Sequence, residues 1–353
     1  EQVSEKEINF NEAEYSRKGK KYKYFDCFKD EKYKYFKPIV VKGAKKDYPN
    51  VVISISENGS NKLEKYKHFD KRIRYSYSKK VVSMSQNIGN ALKKSLLKKA
   101  TQVSSIEQKY CEYKGYETTL FKAVEDCDII YHVGAISDTM EKDVNKMMYY
   151  NVEFSKVLFD LASILNKKVV YSSSAACYGT DGVPSNLYGW SKYIAEIYGV
   201  STVKDFIALR YFNVYGKGES HKGKMASVAY QAMNMVSGNK DKELSRYAQK
   251  EKFRLFPGNP KRDFVYIDDV VSANVRCLDD VPAGVYDVGL GKSNRFETVL
   301  KTLGIDYYYH NKDMIPKGYQ FETKANKNKF LPKWKPKFTL EKGLIDYKNK
   351  LGV

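Results

Sequence analysis

Between residues 79 and 215 short apolar runs alternate with stretches whose apolar positions recur every three or four residues. The runs at 128–133, 168–172 and 206–211 are nearly continuous in hydrophobicity, as expected of strands covered on both faces. A further strand is expected to begin at Val81-Val82, and another at 101–106. Residues 87–99 read as a helix with Ile88, Leu92, Leu96 and Leu97 inward, and helical patterns also cover 144–165 and 188–200. Strand–helix–strand alternation predicts a parallel sheet with right-handed crossovers, a doubly wound Rossmann-like α/β fold. Such sheets bind ligands beyond the carboxyl ends of their strands.

The pattern before residue 79 is different. Only 38–41 and 51–55 read as strands there, with a turn at 56–61. Residues 1–80 hold 21 Lys/Arg against 12 Asp/Glu, and tyrosine is interleaved with lysine, as in Lys32-Tyr33-Lys34-Tyr35. The expected division is therefore a basic N-terminal extension (1–78), a Rossmann-like core (79–215), and a smaller C-terminal α/β lobe (216–353) that returns to the core.

Over the 353 residues the formal charge is +20. That balance points to acidic partners. The expectation is protein subunits of a large complex, with RNA contact through the basic extension. A coding bias toward Lys, Tyr, Asn and Ile accounts for the same charge without a partner. Five scattered cysteines and four scattered histidines show no metal-ligand spacing, so no metal is expected. No apolar run has the length of a membrane helix. The chain opens at Glu1 rather than Met, which fits removal of a targeting segment. Mitochondrial localisation is the expectation, with the cytoplasm as the alternative.

Three segments carry the chemistry. Tyr171-Ser172-Ser173-Ser174-Ala175-Ala176-Cys177-Tyr178-Gly179 follows a strand, and Tyr188-Gly189-Trp190-Ser191-Lys192 opens a helix. Tyr188 and Lys192 lie one turn apart on one face. A neighbouring ammonium lowers a phenol's pKa, which would make Tyr188 an acid/base group, with Ser174 binding the substrate hydroxyl. The third segment is Arg210-Tyr211-Phe212-Asn213-Val214-Tyr215-Gly216, continued by His221-Lys222-Gly223-Lys224-Met225-Ala226-Ser227-Val228-Ala229 and later by Lys261-Arg262-Asp263-Phe264-Val265-Tyr266.

These blocks resemble the extended short-chain dehydrogenase/reductase sugar-nucleotide epimerases and dehydratases, and in particular the ADP-L-glycero-D-manno-heptose 6-epimerase branch. The resemblance implies an NAD(P) cofactor that takes hydride from a sugar carbon and returns it to the other face. It implies Ser174, Tyr188, Lys192 and Lys222 as catalytic residues. It places Ile88, Gly89, Gly134, Ala135, Asn151, Lys192 and Val214 at the cofactor, and Asn213, Phe256, Gly258, Arg262 and Tyr319 at the substrate. The chain departs from the family at the phosphate loop. Aligned on Ile88-Gly89, residues 82–89 read Val-Ser-Met-Ser-Gln-Asn-Ile-Gly and keep only the last glycine. Such a loop lacks the small residues that let backbone amides reach a diphosphate. The reading drawn is a degenerate epimerase serving as an accessory or scaffold subunit of a large mitochondrial assembly, such as a ribosome or respiratory-chain complex. An active NAD(P)-dependent ADP-heptose-type 6-epimerase is the alternative.

Overall fold

The computed structural model describes residues 124–352 apart from 181, 237–251, 256 and 310–319. Before residue 124 it describes the backbone of five strands and helical positions 88, 91, 92, 95 and 96. Strands β1 (Tyr15–Arg17) and β2 (Lys20–Tyr22) form an antiparallel pair. The centre of the molecule is a seven-stranded sheet of β3 (Pro38–Val41), β4 (Asn50–Ser56), β5 (Gln102–Gln108), β6 (Ile129–His132), β7 (Lys168–Ser174), β8 (Phe206–Tyr211) and β13 (Gly284–Val288). Its order is β13-β8-β7-β6-β4-β5-β3. All neighbours are parallel except β3, which runs antiparallel to β5 at one edge.

The doubly wound fold expected from the sequence is present, but its first strand is not where the pattern placed it. β4 occupies the centre of the sheet, pairing with both β5 and β6. The chain moves from β4 to β5 on one side and then to β6 on the other, so the topological switch point lies at the carboxyl ends of β4 and β6. Strands β3 and β4 both fall within residues 1–78, so that segment is not purely an extension outside the sheet. Val81-Val82 lies outside the described residues.

The two-residue period of the strands explains the two cores. Val170, Ile207 and Leu209 face one cluster, with Ile88, Leu92, Leu96, Val270 and Leu344 packed on it. Val169, Tyr171, Phe206 and Ala208 face the other, with Phe154, Leu158 and Ala195. Helix α1 (Val144–Met148) passes through a five-residue π-helical segment, Tyr149–Glu153, into helix α2 (Phe154–Ile164). Single π turns inside helices occur frequently at functional sites. Helix α3 (Leu187–Thr202) follows β7, and the C-terminal lobe adds α4 (Val228–Val236), α5 (Ile267–Arg276), α6 (Phe296–Leu303) and α7 (Leu340–Leu351).

Short strand pairs build that lobe. β9 (Asn213–Tyr215) runs parallel to β12 (Phe264–Tyr266), and β10 (Phe253–Leu255) parallel to β15 (Tyr307–Tyr309). β11 (Lys261–Arg262) runs antiparallel to β14 (Asn294–Arg295). Asp263, fully buried between β11 and β12, fastens the lobe. Its carboxylate accepts from the backbone N–H groups of Leu290, Gly291 and Ala325 at 2.7, 2.8 and 3.0 Å. No described helix is long and apolar enough to cross a membrane.

Candidate active site

A cleft of about 320 Å³ opens between the carboxyl ends of β7 and β8 and the C-terminal lobe. Ser174, Tyr188, Lys222, Asn213 and Arg262 all line it. These residues span nearly ninety positions of sequence, and the crossovers bring them to one wall. Ser174 ends β7 and caps the following turn, accepting from the Ala176 N–H at 3.1 Å. Asn186 caps α3 by accepting from the Gly189 N–H at 2.8 Å, which puts Tyr188 in the first turn of that helix. Gly189 permits the approach, since a Cβ there would stand 2.7 Å from the Ala176 carbonyl oxygen. The Tyr188 phenol is hydrogen-bonded to Ser174.

Burial pushes the Tyr188 phenol up to about 12, and the Ser174 bond opposes that shift. Lys192 is 2% exposed, with its Nζ 4.1 Å from the Tyr171 ring centroid. Burial brings its pKa down to about 7, against the opposing pull of Cys177 and Glu196. Tyr188 and Lys192 thus lie on the same helix, α3, one turn apart. Below them, Asn151 in the π-helical segment holds the end of β6. Its side chain accepts from Ile136 N–H at 2.7 Å and donates to Ile136 O at 2.8 Å and Ser191 Oγ at 2.9 Å.

Lys222 is buried and ion-paired with Glu219 at 2.9 Å. Burial lowers its pKa, and Glu219 opposes that shift. Glu219 also accepts from Gly216 N–H at 3.0 Å and from the Ser227 N–H and hydroxyl at 2.9 and 2.8 Å. A fully partnered carboxylate therefore fixes the cation at the cleft wall. Across the cleft, Thr323 donates to Asn213 Oδ1 at 3.2 Å, and Gln320 donates to Gly179 O at 2.6 Å, tying the lobe to the turn after β7.

A second network lies under the floor. Glu196 accepts from Arg210 through both oxygens and from Ser173 Oγ at 2.6 Å. The Arg210 guanidinium lies 4.4 Å from the Tyr178 ring centroid, and Tyr178 donates to Asp287 at 2.7 Å. Sequence reasoning did not select Glu196, Glu219, Gln320 or Thr323. Glu196 was accessible to it, standing one turn beyond Lys192 on the face that carries Tyr188.

Other expected site residues are placed differently. Val214 is buried in the core and does not line the cleft, and neither does Gly258, which turns with φ +89° against Phe321. Gly134 and Ala135 are buried after β6, on the loop that Asn151 holds, and Ile88 packs in the core. Gly89, Phe256 and Tyr319 lie outside the described residues.

Buried Lys192, the Tyr188 hydroxyl and the loop fixed by Asn151 suit the nicotinamide-ribose end of a nicotinamide dinucleotide. The segment that would meet its diphosphate lies outside the described residues. In this fold the diphosphate rests on a tight glycine-rich turn from the first strand into its helix. Here the strand at the switch point is β4, ending at Ser56, and the next described helical residue is Ile88. Between them Gly59 is the single glycine. The loop expected at 82–89 lies outside the described residues, apart from helical position Ile88. Among the described residues no His, Cys, Asp and Glu cluster suited to a metal ion is present.

Residues 85–289 match the NAD dependent epimerase/dehydratase family, and the chain belongs to it. The chain is 33% identical over 227 residues to ADP-L-glycero-D-manno-heptose-6-epimerase of Brachyspira hyodysenteriae, a match covering 57% of this chain and 68% of that one. Among solved structures, ADP-L-glycero-D-manno-heptose-6-epimerase of Helicobacter pylori superposes with a TM-score of 0.61 at 22% identity, over 87% of this chain and 97% of that one. UDP-glucuronic acid 4-epimerase of Bacillus cereus, in complex with NAD and a fluorinated UDP-sugar, gives 0.57 at 18%, over 86% and 99%. The two structures agree with this chain in fold. NAD(P) is the cofactor of the family.

Proposed function

We propose that this chain is a sugar-nucleotide-binding epimerase relative whose dinucleotide end has been altered, and that it serves as an accessory subunit of a large mitochondrial assembly. The observation that carries the reading is the sequence between Ser56 and Ile88, with one glycine, Gly59, where the fold needs several. The cleft supports the sugar-nucleotide half. Arg262 offers a planar cation to a diphosphate, Asn213 and Thr323 offer polar groups to a sugar, and Ser174 and Tyr188 meet its hydroxyls. The formal charge of +20 supports an assembly role, since it favours acidic neighbours.

A second reading, an active ADP-heptose-type 6-epimerase, is favoured by the gathering of Ser174, Tyr188 and Lys222 in one cleft above Lys192. Calorimetric titration separates the two. ADP-linked and UDP-linked sugars are expected to bind in the micromolar range, with Arg262→Ala weakening them about tenfold to a hundredfold through the lost charge-assisted bond. NADH and NADPH are expected not to bind below about 1 mM, the weak end of specific affinities. Micromolar dinucleotide binding with turnover of an ADP-heptose would establish the enzyme instead.

A further inference from the structure

The ribbon of β11 and β14 has two faces, and the cleft uses one. Arg262 and Thr323 line the cleft, whereas their chain neighbours Lys261, Glu322 and Lys324 line a second groove of about 430 Å³ behind it. The two-residue period of extended chain explains the alternation. Lys261 stands directly opposite Arg295 across the ribbon. Like charges in that position destabilise a sheet unless something neutralises them. Lys292 and Lys324 add two cations to the same groove, and Ser293 and Thr298 add hydroxyls. Glu322, the carboxylate among the lining residues, lies 3.7 Å from Lys261 and is half exposed. Lys292, Arg295 and Lys324 form no ion pair with a described carboxylate.

Aromatic surface adjoins the cations. Tyr309 is 46% exposed, and its hydroxyl donates to Glu297, two residues beyond Arg295. Cations along a groove with an aromatic face beside it match what a single-stranded nucleic acid requires, since phosphates take the charges and a base stacks on the ring. An acidic polypeptide would use the charges alone.

We propose that this groove binds the phosphodiester backbone of a single-stranded nucleic acid, with Lys261, Lys292, Arg295 and Lys324 on the phosphates and Tyr309 against a base. The site lies on the opposite face of the ribbon from the sugar-nucleotide cleft, and does not depend on the reading of that cleft.

The test uses the full chain and a fluorescently labelled oligouridine, with anisotropy followed between 50 and 200 mM salt. Replacing Lys261, Lys292, Arg295 and Lys324 by Gln is expected to lower affinity at least about tenfold. It should also make the slope of log K against log salt shallower by about 3, four contacts at about 0.7 each. Tyr309→Ala should weaken binding about fivefold or more with the slope unchanged, the loss of one stacked base. The exposed pair Lys292→Glu and Lys324→Glu, checked for an unchanged thermal melt, should reproduce the charge effect without touching the ribbon pairing. Unchanged affinity and slope in both charge variants would overturn the proposal. Displacement of the oligonucleotide from the groove by polyglutamate of equal charge, at equal concentration, would also overturn it and assign the groove to an acidic protein.

Discussion

The two ends of the cleft are built on different principles. At the sugar end, three buried carboxylates are held by several partners each. Glu219 fixes Lys222, Glu196 grips Arg210, and Asp263 takes three backbone N–H groups. The partners of Asp263 come from segments distant in sequence, so its geometry is over-determined. At the dinucleotide end, β4 ends at Ser56, and residues 57–87 carry one glycine, Gly59, before helical position Ile88. A diphosphate needs amide donors that converge within one turn. The proposed loss of the cofactor seat is therefore read from the sequence of that end.

The largest expected effect comes from rebuilding the weak end. Replacing residues 57–87 by a short turn carrying Gly-x-Gly-x-x-Gly is expected to bring NADH binding from the millimolar to the micromolar range, about a thousandfold, by fluorescence titration. No gain in affinity, in a variant that still melts cooperatively, would place the defect elsewhere. At the strong end, Asp263→Ala leaves three buried N–H donors without their acceptor. At roughly 1–3 kcal/mol per unsatisfied group it should cost about 3 kcal/mol or more in urea unfolding. A loss below about 1 kcal/mol would contradict the role given to Asp263.

The buried Lys192 ammonium ties stability to pH. Its pKa in the folded chain is lowered to about 7, while in the unfolded chain it stays near 10.5. Between those values the unfolded state holds a proton that the folded state lacks, so stability rises with pH and is lost as pH falls toward 7. From pH 7 to 9 the folded chain should gain about 2 kcal/mol relative to Lys192→Met, which has no such group. Parallel urea midpoints for the two proteins across that range would show that Lys192 is solvated. Gly189→Ala is the smallest change in structure. The new Cβ would meet the Ala176 carbonyl oxygen at 2.7 Å, costing about 1–3 kcal/mol and shifting Tyr188 from Ser174. Sugar-nucleotide affinity should fall with it, and an unaltered affinity would show that the helix start has room.

Much of the architecture was legible in the sequence because β6, β7 and β8 are covered on both faces and read as unbroken apolar runs. Tyr188 and Lys192 were legible from helical spacing, and Ser174 from its place at a strand end. The position of β4 in the sheet was not, although its strand character was. Local pattern identifies a strand but not its neighbours, and the family's short turn favoured the apolar pair nearest Ile88. The Glu219–Lys222 and Glu196–Arg210 pairs were missed for different reasons. Glu219 owes its importance to Gly216 and Ser227 closing around it, which no spacing rule encodes. Glu196 meets Arg210 across a strand–helix contact. The Tyr171 ring beneath the Lys192 ammonium was not legible, because spacing along a helix says nothing of what packs under it.

The account turns on whether a dinucleotide can lie across the end of β4. An experimental structure of the full chain, soaked together with NAD and an ADP-linked sugar, tests this most directly. The predicted result is density for the sugar nucleotide against Arg262 and Asn213, with none crossing the carboxyl end of β4. A dinucleotide spanning that strand end, its nicotinamide beside Tyr188 and its diphosphate on the helix that carries Ile88, would contradict it.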